Sequence, residues 1–121
     1  MKYLVTGAAG FIGANIAQKL LDSGHQVTTI DNLSSGYEAY IPKHCLFIRG
    51  DLSDATSIDQ LNCDKFDAIL HIAGQSSGEV SFESPIYDIN SNTVSTLRLL
   101  DYAVKTGCKR FIYASSMSVY G

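Results

Sequence analysis

Apolar residues in this 121-residue chain follow two alternating rhythms. Short runs rich in β-branched and large apolar side chains, at residues 2–6, 26–30, 45–49, 66–72 and 110–114, predict five strands. Between them the spacing turns helical. Phe11, Ile12, Ile16, Leu20 and Leu21 predict a helix over 11–23, stopped by Gly24. Asp54 is a suitable cap for a short helix over 55–61, with Ile58 and Leu61 facing inward. Ser84-Pro85 opens the longest helix, with serine as cap and proline in the first turn. Its face is Ile86, Ile89, Thr93, Leu97, Leu100 and Val104, and Gly107 ends it. Residues 33–42 and 73–78 read as loops. The run 66–72 is nearly unbroken in its apolarity, as expected of a central strand buried on both faces.

Strands alternating with helices predict one α/β domain over residues 1–121, a doubly wound parallel sheet with right-handed crossovers. The strand order expected is 3-2-1-4-5, with the first strand beside the fourth. In such a sheet the ligand lies against the carboxyl ends of the strands. The chemistry-bearing loops of this sequence all fall there: 7–13, Asp31, Asp51, 73–77 and Ser115-Ser116.

Composition narrows the partners. With 45% hydrophobic and 17% charged residues the chain can bury a core, and a net charge of −3 supplies no basic stripe for a nucleic acid. No apolar run approaches the ~20 residues that span a bilayer, and glycines follow Leu4-Val5 too soon for a signal peptide. Three cysteines, Cys45, Cys63 and Cys108, are too widely spaced for a disulfide framework or a zinc site, so a reducing cytoplasm is the expected compartment. His71 stands alone within an apolar strand, without ligand spacing to any second histidine or carboxylate. It reads as a core residue, and no metal is expected.

The turn Thr6-Gly7-Ala8-Ala9-Gly10-Phe11-Ile12-Gly13 joins the first strand to the first helix. Glycine permits the tight turn and a close backbone approach, and the helix N-terminus offers unpaired N–H groups to a pyrophosphate. Asp31 follows 18 residues beyond the last glycine, near the ~20 expected for a ribose-binding acid. A carboxylate there repels a 2′-phosphate and no arginine is adjacent, so NAD is expected rather than NADP. Asp51-Leu52 is either a helix-capping pair or a contact to adenine. Ser115-Ser116 is either plain loop polarity or a contact to substrate, and neither serine has a histidine or a G-x-S-x-G elbow to make it a nucleophile.

These residues together resemble the N-terminal part of an extended short-chain dehydrogenase/reductase, in the NAD-dependent nucleotide-sugar epimerase/dehydratase family and its UDP-glucose 4-epimerase-like branch. Thr6-Gly7-x-x-Gly10-x-x-Gly13 resembles the family's cofactor loop, and residues 31–36 (DNLSSG) and Asp51-Leu52 its adenosine-binding segments. His71-Ile72-Ala73-Gly74 resembles the loop on the nicotinamide side. Asn92 and Thr96 match its N-x-x-G-T segment, with Ser95 replacing the glycine, and residues 113–121 (YASSMSVYG) match its catalytic-serine segment.

The resemblance implies a Rossmann-type fold and a sugar oxidised transiently by bound NAD. It assigns Gly7, Gly10 and Gly13 to the pyrophosphate, Asp31 and Asn32 to the adenosine ribose, and Asp51 and Leu52 to adenine, with Phe11, Ile12, Ser35 and Gly36 as further cofactor-binding residues. It places Ala73, Gly74 and Gln75 on the nicotinamide side, counts Asn92 and Ser115 among the cofactor-binding residues, and makes Ser116 the catalytic serine. The family's Tyr-x-x-x-Lys pair, which supplies the proton-transfer base, is absent from these 121 residues, as are its later strand and substrate region. The expectation is therefore a cofactor-binding half that is inactive alone, with a nucleotide sugar as the parent's substrate. Uncovered apolar surface predicts a homodimer or higher assembly. A non-catalytic NAD-sensing or self-associating module is the competing reading.

Overall fold

The structure, a computed structural model, describes residues 1–120, and for Met117 and Ser118 the backbone alone. Gly121, the last position of the YASSMSVYG match, lies outside the described residues. Five strands form one parallel sheet: β1 (Lys2–Thr6), β2 (Gln26–Asp31), β3 (Leu46–Arg49), β4 (Ala68–His71) and β5 (Phe111–Tyr113). Their order is β3-β2-β1-β4-β5, as the alternation predicts. The registers Thr6↔Ile30 and Thr6↔His71 bring the carboxyl ends of β2, β1 and β4 level, and the chain reverses direction across the sheet between β1 and β4.

Adjacent strand residues point to opposite faces, and each face has its own core. Leu4, Ile30 and Ile69 pack with Leu52, Leu61, Phe66, Leu99, Tyr102 and Ala103 on one side. Val5, Val27, Ala8 and Ala17 pack with Ile16, Leu20, Leu21 and Leu70 on the other, under α1 (Phe11–Asp22). Burying a leucine- or phenylalanine-sized side chain contributes ~1.5–3 kcal/mol, so these two layers supply the main stabilisation. Gly24 at φ +86° ends α1. Asp54 caps α2 (Ala55–Asp59) by accepting a hydrogen bond from the Thr56 amide.

Four expectations change. Phe11 and Ile12 belong to no core; they are 83% and 61% exposed at the start of α1, which docks through Gly13, Ile16, Ala17, Leu20 and Leu21 instead. A helix not expected from the pattern, α3 (Gly78–Glu83), follows the 73–77 loop and is capped by the Ser77 hydroxyl. Ser84 then separates it from α4 (Pro85–Ile89); its side chain caps nothing, while its amide closes α3 by donating to the Val80 carbonyl.

The largest difference is in the long helix. It runs through α4, a π-helical turn (Asn90–Val94) and α5 (Ser95–Thr106). The face predicted from Ile86, Ile89, Thr93, Leu97, Leu100 and Val104 lies on the outside, whereas Ser95, Leu99, Tyr102 and Ala103 meet the sheet. The helix is apolar on two sides. The small Ser95 and Ala103 let it sit close, while the Tyr102 hydroxyl donates to the Asp64 carbonyl at 2.5 Å. Gly107 at φ +76° ends α5 and lets the Cys108 amide reach the Ala103 carbonyl.

Candidate functional site at the carboxyl edge of the sheet

The three glycines of the first turn have different tasks. Gly7 has φ +76°, and a Cβ there would come within 2.9 Å of the Ala73 backbone. At Gly13 a Cβ would overlap the Gly7 carbonyl oxygen at 2.2 Å, so this glycine lets α1 seat against the turn. Gly10 differs. A Cβ there would meet only the Gly7 oxygen at 3.5 Å, an ordinary contact. Nothing in the chain requires glycine at this position, yet it starts α1 and lines a cavity of about 360 Å³ with Phe11, Ile12, Gly13 and Asp31. The first-turn amides of a helix have no intrahelical acceptor, so that cavity meets an anion-binding helix end.

Asp31 ends β2 and holds the turn from the other side. Its Oδ2 accepts from the Ala9 amide at 3.1 Å and its Oδ1 from the Leu33 amide at 2.7 Å. Each carboxylate oxygen retains a second acceptor site for a hydroxyl. The Leu33 bond stabilises a left-handed backbone (φ +60°), and the Asn32 side chain accepts from the Ser34 amide. Gly36 lies against Ala9, whose carbonyl accepts from the Tyr37 amide, so Ser35 and Gly36 join the cavity wall.

Asp51 does not cap α2. Its Oδ1 accepts from both the amide and the hydroxyl of Ser53, and its own amide donates to Ser57 Oγ. Leu52 is buried in the core while still contributing to a recess that also includes Asp31, Asn32, Asp51, Ala73 and Gly74. Tyr87, Ser91 and Ser95 close this recess from the long helix. Their role was not foreseen, because nothing in a helical pattern says which turn will cross a strand end.

At the other end, a polar chain crosses the fold. The Thr6 hydroxyl accepts from the amides of Ile72 and Ala73, both at 3.0 Å, so its proton goes to His71 Nδ1 at 2.8 Å. The Thr96 hydroxyl donates to the Asn92 carbonyl at 2.6 Å and therefore accepts from His71 Nε2 at 3.0 Å. The donor inventory makes His71 a neutral imidazole protonated on Nε2. Burial agrees: it lowers the His71 pKa from its ordinary value of 6.5 to about 4. His71 is thus the satisfied core residue its surroundings predict.

The π-helical turn brings Asn92 to the 73–77 loop. Its Oδ1 accepts from the Gln75 amide at 2.7 Å and its Nδ2 donates to the Gln75 carbonyl at 2.9 Å. The Gln75 side chain folds back to donate to the Ser77 carbonyl and accept from the Ser77 amide. Both side chains therefore hold the loop. Ile12, Ala73, Gly74, Gln75, Asn92, Ser115 and Ser116 line a third cavity of about 470 Å³. Every residue that the resemblance assigns to cofactor binding or catalysis borders one of these three adjoining spaces, which share Ala73 and Gly74.

A five-stranded, doubly wound sheet with a glycine turn at its switch point and an acid ending the next strand defines a Rossmann-type domain. The chain belongs to the NAD dependent epimerase/dehydratase family, whose model matches residues 3–121. It is 39% identical to UDP-glucose 4-epimerase of Mycolicibacterium smegmatis over 127 residues, covering 100% of this chain and 41% of that relative. The solved structure of a UDP-glucose 4-epimerase with UDP-glucose from Thermotoga maritima superposes with a TM-score of 0.92 at 34% identity, over 96% of this chain and 38% of that one. That of the Thermus thermophilus enzyme in complex with NAD gives 0.89 at 36% identity, again over 96% and 38%. The chain thus spans about two fifths of the length of these proteins. Among the described residues no helix is long and apolar enough to cross a membrane.

NAD is the cofactor named for the family, and the residues present fit it. The Gly10 position is left open by the protein, and the α1 N-terminus adjoins it. Asp31 retains acceptor capacity at the far side of the same cavity.

Proposed function

We propose that this chain is the NAD-binding half of a UDP-sugar 4-epimerase or dehydratase. The carrying observation is the row of three adjoining spaces along the carboxyl edge, with Asp31 and Asp51 toward one end and Ser115-Ser116 at the other. The acid at the end of β2 sets the direction: the ends of β2 and β3 would hold adenosine, Gly7, Gly10 and Gly13 the pyrophosphate, and the ends of β4 and β5 the nicotinamide side. Asp31 and Asn32 take the adenosine ribose, with Ser35 and Gly36 closing over it, and Asp51 and Leu52 border adenine. Ala73, Gly74, Gln75, Asn92 and Ser115 form the nicotinamide wall. The chemistry supplied by bound NAD is acceptance and return of a hydride at the sugar carbon. Ser116 orients the substrate hydroxyl from the edge of that wall.

Calorimetry tests the binding claim. NAD binds more tightly than NADP, and Asp31→Ala weakens NAD while narrowing the difference. Unchanged NAD affinity in that variant would remove the assigned role. With no Tyr-x-x-x-Lys among the 121 residues, the chain incubated with UDP-glucose and NAD turns over no sugar. Appearance of reduced-cofactor absorbance or of the epimeric sugar would contradict this. The three free thiols suit a reducing cytoplasm.

The exposed outer face of the long helix favours a second property, self-association. Ile86, Ile89, Leu97, Leu100 and Val104 all face outward, a larger apolar stripe than a solvated helix needs. Sedimentation at micromolar concentration yields a dimer or larger species; a clean monomer would count against it. A module that binds NAD, associates through this face and catalyses nothing is the form this reading takes for the isolated chain.

A further inference from the structure

Asp88, in α4, lies just behind the wall of the third cavity. Its Oδ1 accepts from Gln75 Nε2 at 2.6 Å and Asn92 Nδ2 at 3.1 Å, and its Oδ2 from Ser81 Oγ at 3.4 Å. All three donors are neutral. Among the described residues the ion pairs are Lys2–Asp64 and Lys105–Asp101, so no lysine or arginine pairs with Asp88. The carboxylate is half-buried, and two of its three donors, Gln75 and Asn92, line the cavity beside Ser115 and Ser116.

From this geometry we infer that Asp88 is a specificity-determining residue that favours the oxidised over the reduced dinucleotide. The inference rests on the NAD reading, which puts nicotinamide at this end of the edge. The oxidised ring carries a positive charge and the reduced ring none. A negative charge behind the wall, with no lysine or arginine paired to it among the described residues, attracts only the oxidised form. Unit charges roughly 8–10 Å apart across a partly hydrated protein wall shift an equilibrium about three- to tenfold. The site then returns to its oxidised resting form more readily, which suits a reaction that uses and regenerates that form.

Asp88→Asn removes the charge while preserving the contacts. Its Oδ1 still accepts from Gln75 and Asn92, and its Nδ2 donates to the Ser81 oxygen. Calorimetric titration of the chain with NAD⁺ and, separately, NADH gives the ratio of the two affinities. In Asp88→Asn the preference for NAD⁺ falls about three- to tenfold, whereas Asp101→Asn, an acid paired to Lys105 and remote from the cavity, leaves the ratio unchanged. Asp88→Ala, folded by circular dichroism, lowers both affinities because the loop loses its acceptor, and lowers the ratio as well. A purely structural role would lower both affinities and leave the ratio where it was. An unchanged or increased NAD⁺ preference in Asp88→Asn overturns the inference while the dinucleotide reading stands. Failure of the unaltered chain to bind either form overturns both.

Discussion

The β1-α1-β2 unit and the α4–α5 helix are built from similar amounts of apolar sequence, yet they relate to the sheet in opposite ways. In α1 the residues toward its C-terminal end, Ile16, Leu20 and Leu21, lie against the sheet as their spacing predicts. In the long helix the stripe with the most apolar residues faces outward, and the inner contact falls to Ser95, Leu99, Tyr102 and Ala103. A periodic stripe identifies a face but not its partner. α1 has one apolar side and therefore one solution. The long helix has two, and close approach by small residues decides between them.

The sharpest way to break the first unit is Gly13→Ala. The new Cβ would overlap the Gly7 carbonyl, so α1 must move; a loss of about 3 kcal/mol or more is expected in urea denaturation. Gly10→Ala is its counterpart, with stability within about 1 kcal/mol of the parent but NAD affinity at least about tenfold weaker. An unstable Gly10→Ala, or one that binds normally, would contradict the division of labour between these glycines.

For the long helix, Leu99→Ala is expected to cost about 2–5 kcal/mol, because Leu99 is fully buried in the first core. Leu97→Ala, two residues away and 60% exposed, changes monomer stability by about 0.5 kcal/mol or less while weakening self-association in sedimentation. Equal effects of the two variants would mean that the helix is rotated from the orientation described.

The polar chain between the two regions supplies a pH dependence. The folded His71 pKa lies below its ordinary value, so the unfolded chain binds a proton first as pH falls. Stability is intact above pH 6.5 and declines toward about pH 4, by at most about 3 kcal/mol. Thermal melts over that range would show the decline in the parent chain and lose His71's part of it in His71→Gln. The smallest effect is expected at the turn before β4, where exposed Cys63 has φ +55°. Cys63→Gly relieves that conformation and should stabilise by about 0.5–1 kcal/mol, a few degrees in the melting temperature.

Much of the fold was legible because the strands are short, β-branched and regularly interrupted, and parallel alternation leaves few topologies. Of the candidate site, the glycine turn and Asp31 were legible because their spacing is a property of one continuous segment. Asp88, Tyr87 and Ser91 were not. Asp88 matters through Gln75, 13 positions away, and Tyr87 and Ser91 through the strand ends they cross, and no periodicity announces either meeting. Asn92 and Gln75 were legible as positions but not as partners: the Asn92 side chain holds the Gln75 backbone, and the Gln75 side chain reaches Asp88.

Thr6 has one further consequence, for the motion of the binding edge. Its single hydroxyl accepts from the amides of Ile72 and Ala73, which have left the ladder between β1 and β4, and donates a hydrogen bond to His71 Nδ1. Those two loop amides are therefore secured to the central strand instead of to neighbouring loop atoms. In hydrogen exchange they should be protected almost as long as the sheet itself, whereas the Gln75 amide, held by a helix side chain, should exchange sooner. The wall shared by all three cavities would have a slow-exchanging base and a faster rim, with the boundary between Ala73 and Gln75.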